Sequence, residues 1–366
     1  MEDESETNPN WSLYPYEPNQ AGPIAFTVIL AIVACYQVYQ SCIKYHWKVF
    51  GLMMTWASTV WLGGFVCRAI SVRDTQNVDM YIAQFVLVLM GPPLYAAAEY
   101  FILGRLLAYL PYHSPVHPGR VISTFLFLSS CVEALTANGA ANSGGGDRDA
   151  DQRRTGIATL KAALILQCCV ELFFISITAT VQYRCHRAGL FPKQVRPVFY
   201  ILYLTSTMVL VRCVVRTIEG FEAPHCQPWI DVDTCGYVSR QEWILWVFEI
   251  ANITLFVILW AIFPPGKYLP RDDRIFLDQM DGKTERVGPG FSQADQRPWW
   301  QTVVDPFNVK GAVTGRGMAV RKFWEEEQPV YTGGPLPKEK RQKKNGWLEL
   351  RGVQRTSDEV KLNDVA

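Results

Sequence analysis

The sequence predicts an all-α membrane protein: a seven transmembrane helix bundle followed by a largely irregular cytosolic C-terminal tail. Three observations predict it. The apolar residues, 49% of 366, gather into runs of roughly 19 to 28 residues almost free of charge, long enough to cross a hydrocarbon core about 30 Å thick. Short polar stretches join these runs, as helical hairpins require. After Gly266 the composition turns to charge, Pro and Gly, which cannot bury enough apolar surface to offset the cost of ordering.

The spans read as 24–42, 49–70, 80–107, 121–138, 156–183, 198–219 and 243–263. The organisation expected is an extracellular N-terminal tail over 1–23, a transmembrane domain over 24–266, and a mostly disordered cytosolic tail over 267–366. Helices are the expected spanning form, because backbone groups in lipid must be satisfied within the segment. The short alternating segments of a membrane β-barrel are absent. The first 23 residues are acidic and polar rather than basic then apolar, so no cleavable signal peptide is read there.

Orientation follows from basic residues in the short loops. Lys44 and Lys48 follow the first span, Arg105 and Arg120 the third. Arg184, Arg187, Lys193 and Arg196 follow the fifth, and Lys267, Arg271 and Arg274 the seventh. The N-terminal tail carries no basic side chain. Arg148, Arg153 and Arg154 after the fourth span are offset by neighbouring aspartates. This bias puts the N-terminus outside and the C-terminus in the cytosol of a plasma membrane or another secretory-route membrane. Two further features agree. Asn10-Trp11-Ser12 is a glycosylation sequon in that tail. Of ten cysteines, only Cys226 and Cys235 share a polar loop on the outer side, where a disulfide can form.

Ionisable residues at membrane depth are costly and face the interior. In the sixth span Arg212, Arg216 and Glu219 share one helix face, and in the seventh so do Glu242, Trp246 and Glu249. Because the two helices run antiparallel, Arg212 and Glu249 come to one level, each about 10 Å deeper than Glu219 and Glu242. A buried Arg212–Glu249 pair is therefore expected. Arg68, Gln84, Glu133 and Gln167 fall at similar depth and could join them around a polar chamber opening outward. The alternative is that these groups only hold helices in register. Pro92-Pro93 should break the backbone ladder and kink the third span.

The net charge of +1 points to neither nucleic acid nor an acidic partner. All five histidines lie in loops, so an intramembrane zinc hydrolase, which needs ligands projecting from helices, is not supported. The seventh span has no Lys for a retinal Schiff base, and no Walker-type phosphate loop appears. No metal, cofactor or enzymatic activity is expected. Lys338, Lys340, Arg341, Lys343 and Lys344 form a basic stretch that can hold anionic lipid headgroups or be a solvated charge run.

The run from Gln84 through Pro92 to Tyr100 and Gly104-Arg105 resembles the third span of the fungal lipid-translocating exporters of the aminocholesterol-resistance type. Arg212-Cys-Val-Val-Arg216-Thr-Ile-Glu219 is similar to that family's sixth-span R-x-x-[YF]-R-x-x-E, with Val215 in place of the aromatic. Glu242, Trp246 and Glu249 resemble its E-x-x-x-Y-x-x-D, and Gly156, Gln167 and Pro265-Gly266 also fit. The likeness covers roughly residues 24 to 270, with departures. Trp61 stands for the usual Glu of span two, and Cys131 and Asn138 for the Asp and Gln of span four, where Glu133 is offset by two positions. The resemblance implies a divergent member that exports or translocates amphiphiles such as sphingoid bases or sterol-like compounds, linked to lipid or toxicant resistance. Membrane lipids would be its partners, with an acid such as Glu249 receiving a cationic amine. The competing reading is a seven-span receptor or sensor of lipids or stress that signals through its cytosolic tail.

Overall fold

The computed structural model describes residues 12–115, 118–143, 150–189, 191–222, 235–278, 281–290, 324, 326 and 328–332. Seven helices in it are long and apolar enough to cross a membrane, which makes the chain a multi-pass membrane protein. We label them α1 (Ala21–Val38, continued by a π-helical stretch, Tyr39–Lys44), α2 (Lys48–Ser71), α3 (Val78–Tyr109), α4 (Pro118–Ser143), α5 (Ala150–Arg187) and α6 (Arg196–Glu222). The seventh, α7, has three parts: Glu242–Ile244, a π-helical stretch Leu245–Ala251, and Asn252–Ile262. A one-turn helix, Tyr237–Arg240, precedes it.

Residues up to Val330 form one compact unit, and of the second, 331–366, only Tyr331 and Thr332 are described. The bundle is built around α3. Trp61, Tyr95, Phe65, Phe256 and Trp260 are almost wholly buried, and Tyr95 donates a hydrogen bond to the Ser58 hydroxyl at 2.9 Å. Ile32, Leu52 and Ile262 leave more than half their surface exposed. That apolar exterior suits contact with lipid tails rather than water.

Small residues set the helix spacing. A Cβ added at Gly91 would meet the Trp61 ring at 2.3 Å, and one at Gly64 would meet Val88 at 2.9 Å. Trp61, at the position where the family it resembles usually has Glu, thus packs against the glycine of α3.

Pro92 and Pro93 do not interrupt α3, which is continuous from Val78 to Tyr109. The missing amide of Pro93 would leave the Leu89 carbonyl without its helical donor. Arg212 of α6 donates to that carbonyl at 3.3 Å. A neighbouring helix meets the need that was expected to break this one.

The start of the tail is folded. Ile275–Leu277 (β1) and Glu285–Val287 (β2) pair as an antiparallel hairpin, extended by a bridge between Arg286 and Val330. It is anchored where α3 ends: the Tyr109 hydroxyl donates to Glu285 Oε1 at 2.9 Å, and Arg105 donates to the Pro270 carbonyl at 2.8 Å. Phe276 is fully buried beside Ala108 and Tyr112. The basic stretch Lys338–Lys344 lies outside the described residues.

Candidate functional site

At the opposite end of the bundle, residues 12–20 lie over the helix ends as a cap. Tyr14 is buried, and its hydroxyl shares a hydrogen bond of 2.8 Å with Ser71. Its ring meets Tyr81 edge-on at 5.0 Å. Asn19 turns the chain into α1, its side chain accepting from the amides of Ala21 and Gly22. Burial pushes the phenols of Tyr14 and Tyr16 up, further than nearby Arg68 pulls them down, so both keep their protons at neutral pH.

Arg68, at the end of α2, holds the cap to the bundle. It donates to Glu242 at 3.0 Å, to the Tyr16 hydroxyl at 3.2 Å and to Gln84 at 3.4 Å. Its guanidinium also lies 5.4 Å from the Trp246 ring centre. Glu242 in turn accepts the Asn19 amide at 2.9 and 3.1 Å. Trp246 stacks on Phe26 of α1 at 5.4 Å, closing the ring of helices.

A second charge cluster joins α6 to α7. Arg212 pairs with Glu249 at 3.4 Å, and Arg216 pairs with the other oxygen of Glu249 and, at 2.7 Å, with Glu219. Arg212, Arg216 and Glu249 are all buried. The π-helical stretch contains Glu249. Such a stretch turns Glu242 and Glu249 away from the single face that a regular helix gives them, and the two acids, about 10 Å apart in depth, have different partners. Glu242 belongs to Arg68, and Glu249 to Arg212 and Arg216.

Between the cap and this cluster is a chamber of about 330 Å³, within the range of about 300–1,000 Å³ typical of ligand sites. Its walls are mainly apolar, with Val88, Leu89, Leu160, Leu164 and Leu245 among them, and its polar groups include Arg68, Tyr81, Gln84, Arg216 and Glu219. Gly220 also lines it; a Cβ there would meet Leu164 at 2.2 Å, so the glycine admits the Leu164 side chain from α5.

The expected single polar chamber is therefore two spaces. Arg68, Gln84, Arg216 and Glu219 line the larger. Glu133 and Gln167 line a separate cavity of about 20 Å³ with Arg212, Tyr100, Glu171 and the two prolines. Glu249 lines neither: it is buried with both oxygens paired to Arg212 and Arg216, and among the described residues Glu219 is the acid that faces the chamber. Cys235 is disulfide-bonded, eight other cysteines are free, and its expected partner Cys226 lies outside the described residues, as does Asn10.

Tyr14, Tyr16 and Asn19 were not singled out by sequence, because a polar tail ahead of the first span carries no periodicity. Glu171 also escaped notice. The other acid of the 38-residue α5, Asp151, lies in its first turn, so Glu171 is the one within its apolar part, where a charge is a mark of function.

Comparison with known proteins gives the site a context. A sequence profile described as RTA1 like protein matches residues 54–272, a stretch that includes both charge clusters. The lipid-translocating exporter-like protein RTA1 of Leptosphaeria maculans is 30% identical over 299 residues, covering 78% of this chain and 57% of that protein. The chain thus spans little more than half the length of that relative. A protein of the same description from Ajellomyces capsulatus is 27% identical over 261 residues, 68% of this chain and 78% of its own. The protoporphyrin uptake protein 1 of Saccharomyces cerevisiae is 25% identical over 299 residues, 70% and 93% respectively. No solved structure matches. With the profile spanning more than half its length and both clusters inside the match, the chain belongs to the RTA1-like family.

Proposed function

We propose that the protein translocates amphiphilic lipids of the sphingoid-base or sterol-like class, taking the polar headgroup into the chamber beneath the cap. The observation that carries this reading is the make-up of the chamber: leucine and valine walls for a tail, and Glu219, Gln84 and Tyr81 for a headgroup. Glu219 gives one oxygen to Arg216, and its other oxygen suits a protonated amine. The descriptions of the two exporter-like relatives as lipid-translocating support a lipid cargo. In this reading the cap end faces outside and the hairpin end faces the cytosol, in keeping with the loop charges and with the disulfide at Cys235. Linkage to lipid or toxicant resistance follows from removal of such compounds.

The test is uptake and release of a labelled sphingoid base by purified protein in liposomes. Movement well above empty vesicles, reduced by Glu219→Gln, is expected. No movement above empty vesicles, with protein that binds the base and is intact by size exclusion, would favour a receptor that signals through the docked hairpin and tail.

A further inference from the structure

We propose that Glu99 and Glu171 form a proton-binding site in the half of the bundle away from the cap, and that its loading and unloading drive the step performed at the chamber. The inference rests on the translocator reading and supplies its energy source. Glu99 lies fifteen residues beyond Gln84 along α3, about 22 Å deeper by helical rise. It is 0% exposed and Glu171 is 2% exposed. Among the described residues both Glu99 oxygens and Glu171 Oε1 lack a hydrogen bond of good geometry, although the Thr205 hydroxyl and the Trp260 indole lie near enough to donate to Glu99, and neither acid forms a salt bridge.

The surroundings are those of a proton site. Thr205 of α6 and Trp260 of α7 lie beside Glu99. Tyr100 donates to Glu171 Oε2 at 3.5 Å and accepts from Ser129 of α4 at 3.4 Å. Cys168 and Cys213 are the thiols near Glu171. Glu171 accepts from Tyr100, the residue next to Glu99; two carboxylates that share a low-dielectric interior do not both stay charged without cost, and an unpaired buried charge costs several kcal/mol. Neutral acids satisfy both conditions. A hard metal cation asks for six or more oxygens, and no group of three metal-ligating side chains exists among the described residues.

The link to the chamber is also visible. Glu171 lines the cavity of about 20 Å³ that Arg212, Glu133 and Gln167 share, space enough for about one water. Arg212 binds Glu249, which binds Arg216 at the chamber wall. Gaining or losing a charge at Glu171 thus acts across one small polar space on the ion-pair cluster that shapes the chamber.

The experiment reconstitutes the full chain in liposomes with an imposed pH gradient and a labelled sphingoid base. It is combined with infrared difference spectroscopy of the carboxylic-acid C=O band. A gradient of one pH unit changes the limiting accumulation of base by up to about tenfold per proton coupled, with opposite effects for the two polarities. Glu99→Gln and Glu171→Gln should remove that response, and the band that responds to added base should be missing from them. Base movement indifferent to the gradient, with no such band, overturns the proton site and leaves the translocator reading standing. Absence of base movement in every protein overturns the translocator reading and the coupling. The band then decides the site alone: a band that titrates in the wild type and is lost in Glu99→Gln retains it, and a band that never changes, or that persists in Glu99→Gln, rejects it.

Discussion

Arg212 donates to the main-chain carbonyl of Leu89 at 3.3 Å, the acceptor that Pro93 leaves without an amide. A proline in α3 thereby creates the seat for a buried arginine of α6, and the same guanidinium pairs with Glu249 of α7. The three helices meet at one side chain, directly below the chamber. Pro93→Ala restores the helical amide and competes for that carbonyl. Arg212→Gln should therefore cost less stability in the Pro93→Ala background than alone, with a coupling energy of about 0.5–3 kcal/mol. A double-mutant cycle on thermal unfolding in detergent measures it.

The two acids of α7 should differ in weight. Glu249→Ala leaves the buried Arg212 without a carboxylate and Arg216 with Glu219 alone, a loss of about 3–5 kcal/mol. Glu242→Ala leaves Arg68 with Gln84 and Tyr16 and should cost less, about 1–3 kcal/mol. Equal destabilisation of the two variants would contradict the division of partners.

Gly91 and Trp61 are matched in volume. Gly91→Ala places a methyl 2.3 Å from the Trp61 ring and should destabilise by about 1–3 kcal/mol through overpacking. Trp61→Ala should reduce the penalty of Gly91→Ala, and unfolding midpoints of the single and double variants show whether it does.

The cysteines give a count that can be checked by mass. In denaturant without reductant, maleimide should modify the eight free thiols, and reduction should expose two more. Cys235→Ser should leave nine reactive sites without reductant, its former partner among them.

The docked hairpin should depend on Tyr109. Tyr109→Phe removes the hydrogen bond to Glu285, worth about 1 kcal/mol. Faster proteolysis within residues 267–290, with the spans still protected, is the expected result.

The spans were legible because long apolar runs have few alternatives, and depth along two antiparallel helices sufficed to pair Arg212 with Glu249. What depth could not supply was rotation about the axis. The π-helical stretch between Glu242 and Glu249 has no sequence mark, and the same limit merged Glu133 and Gln167 with a chamber they do not line. The hairpin was hidden because its strands are three residues each, too short for an alternating pattern to show. The cap was hidden because Tyr14, Tyr16 and Asn19 act through contacts with distant helices. Pro92-Pro93 reads in sequence as a broken ladder and a kink because the donor that compensates at Leu89 comes from α6, more than a hundred residues away.

The most direct test of the chamber as the site for an amphiphile is equilibrium binding of a fluorescent sphingoid base to purified protein, wild type against Leu164→Trp. The larger ring fills the space beside Gly220, and Glu219→Gln serves as a second variant that keeps the volume. Saturable binding to the wild type, weakened about tenfold or more by Leu164→Trp, equivalent to about 1.4 kcal/mol, is the predicted result. Equal affinity in wild type and both variants would show that the lipid binds elsewhere.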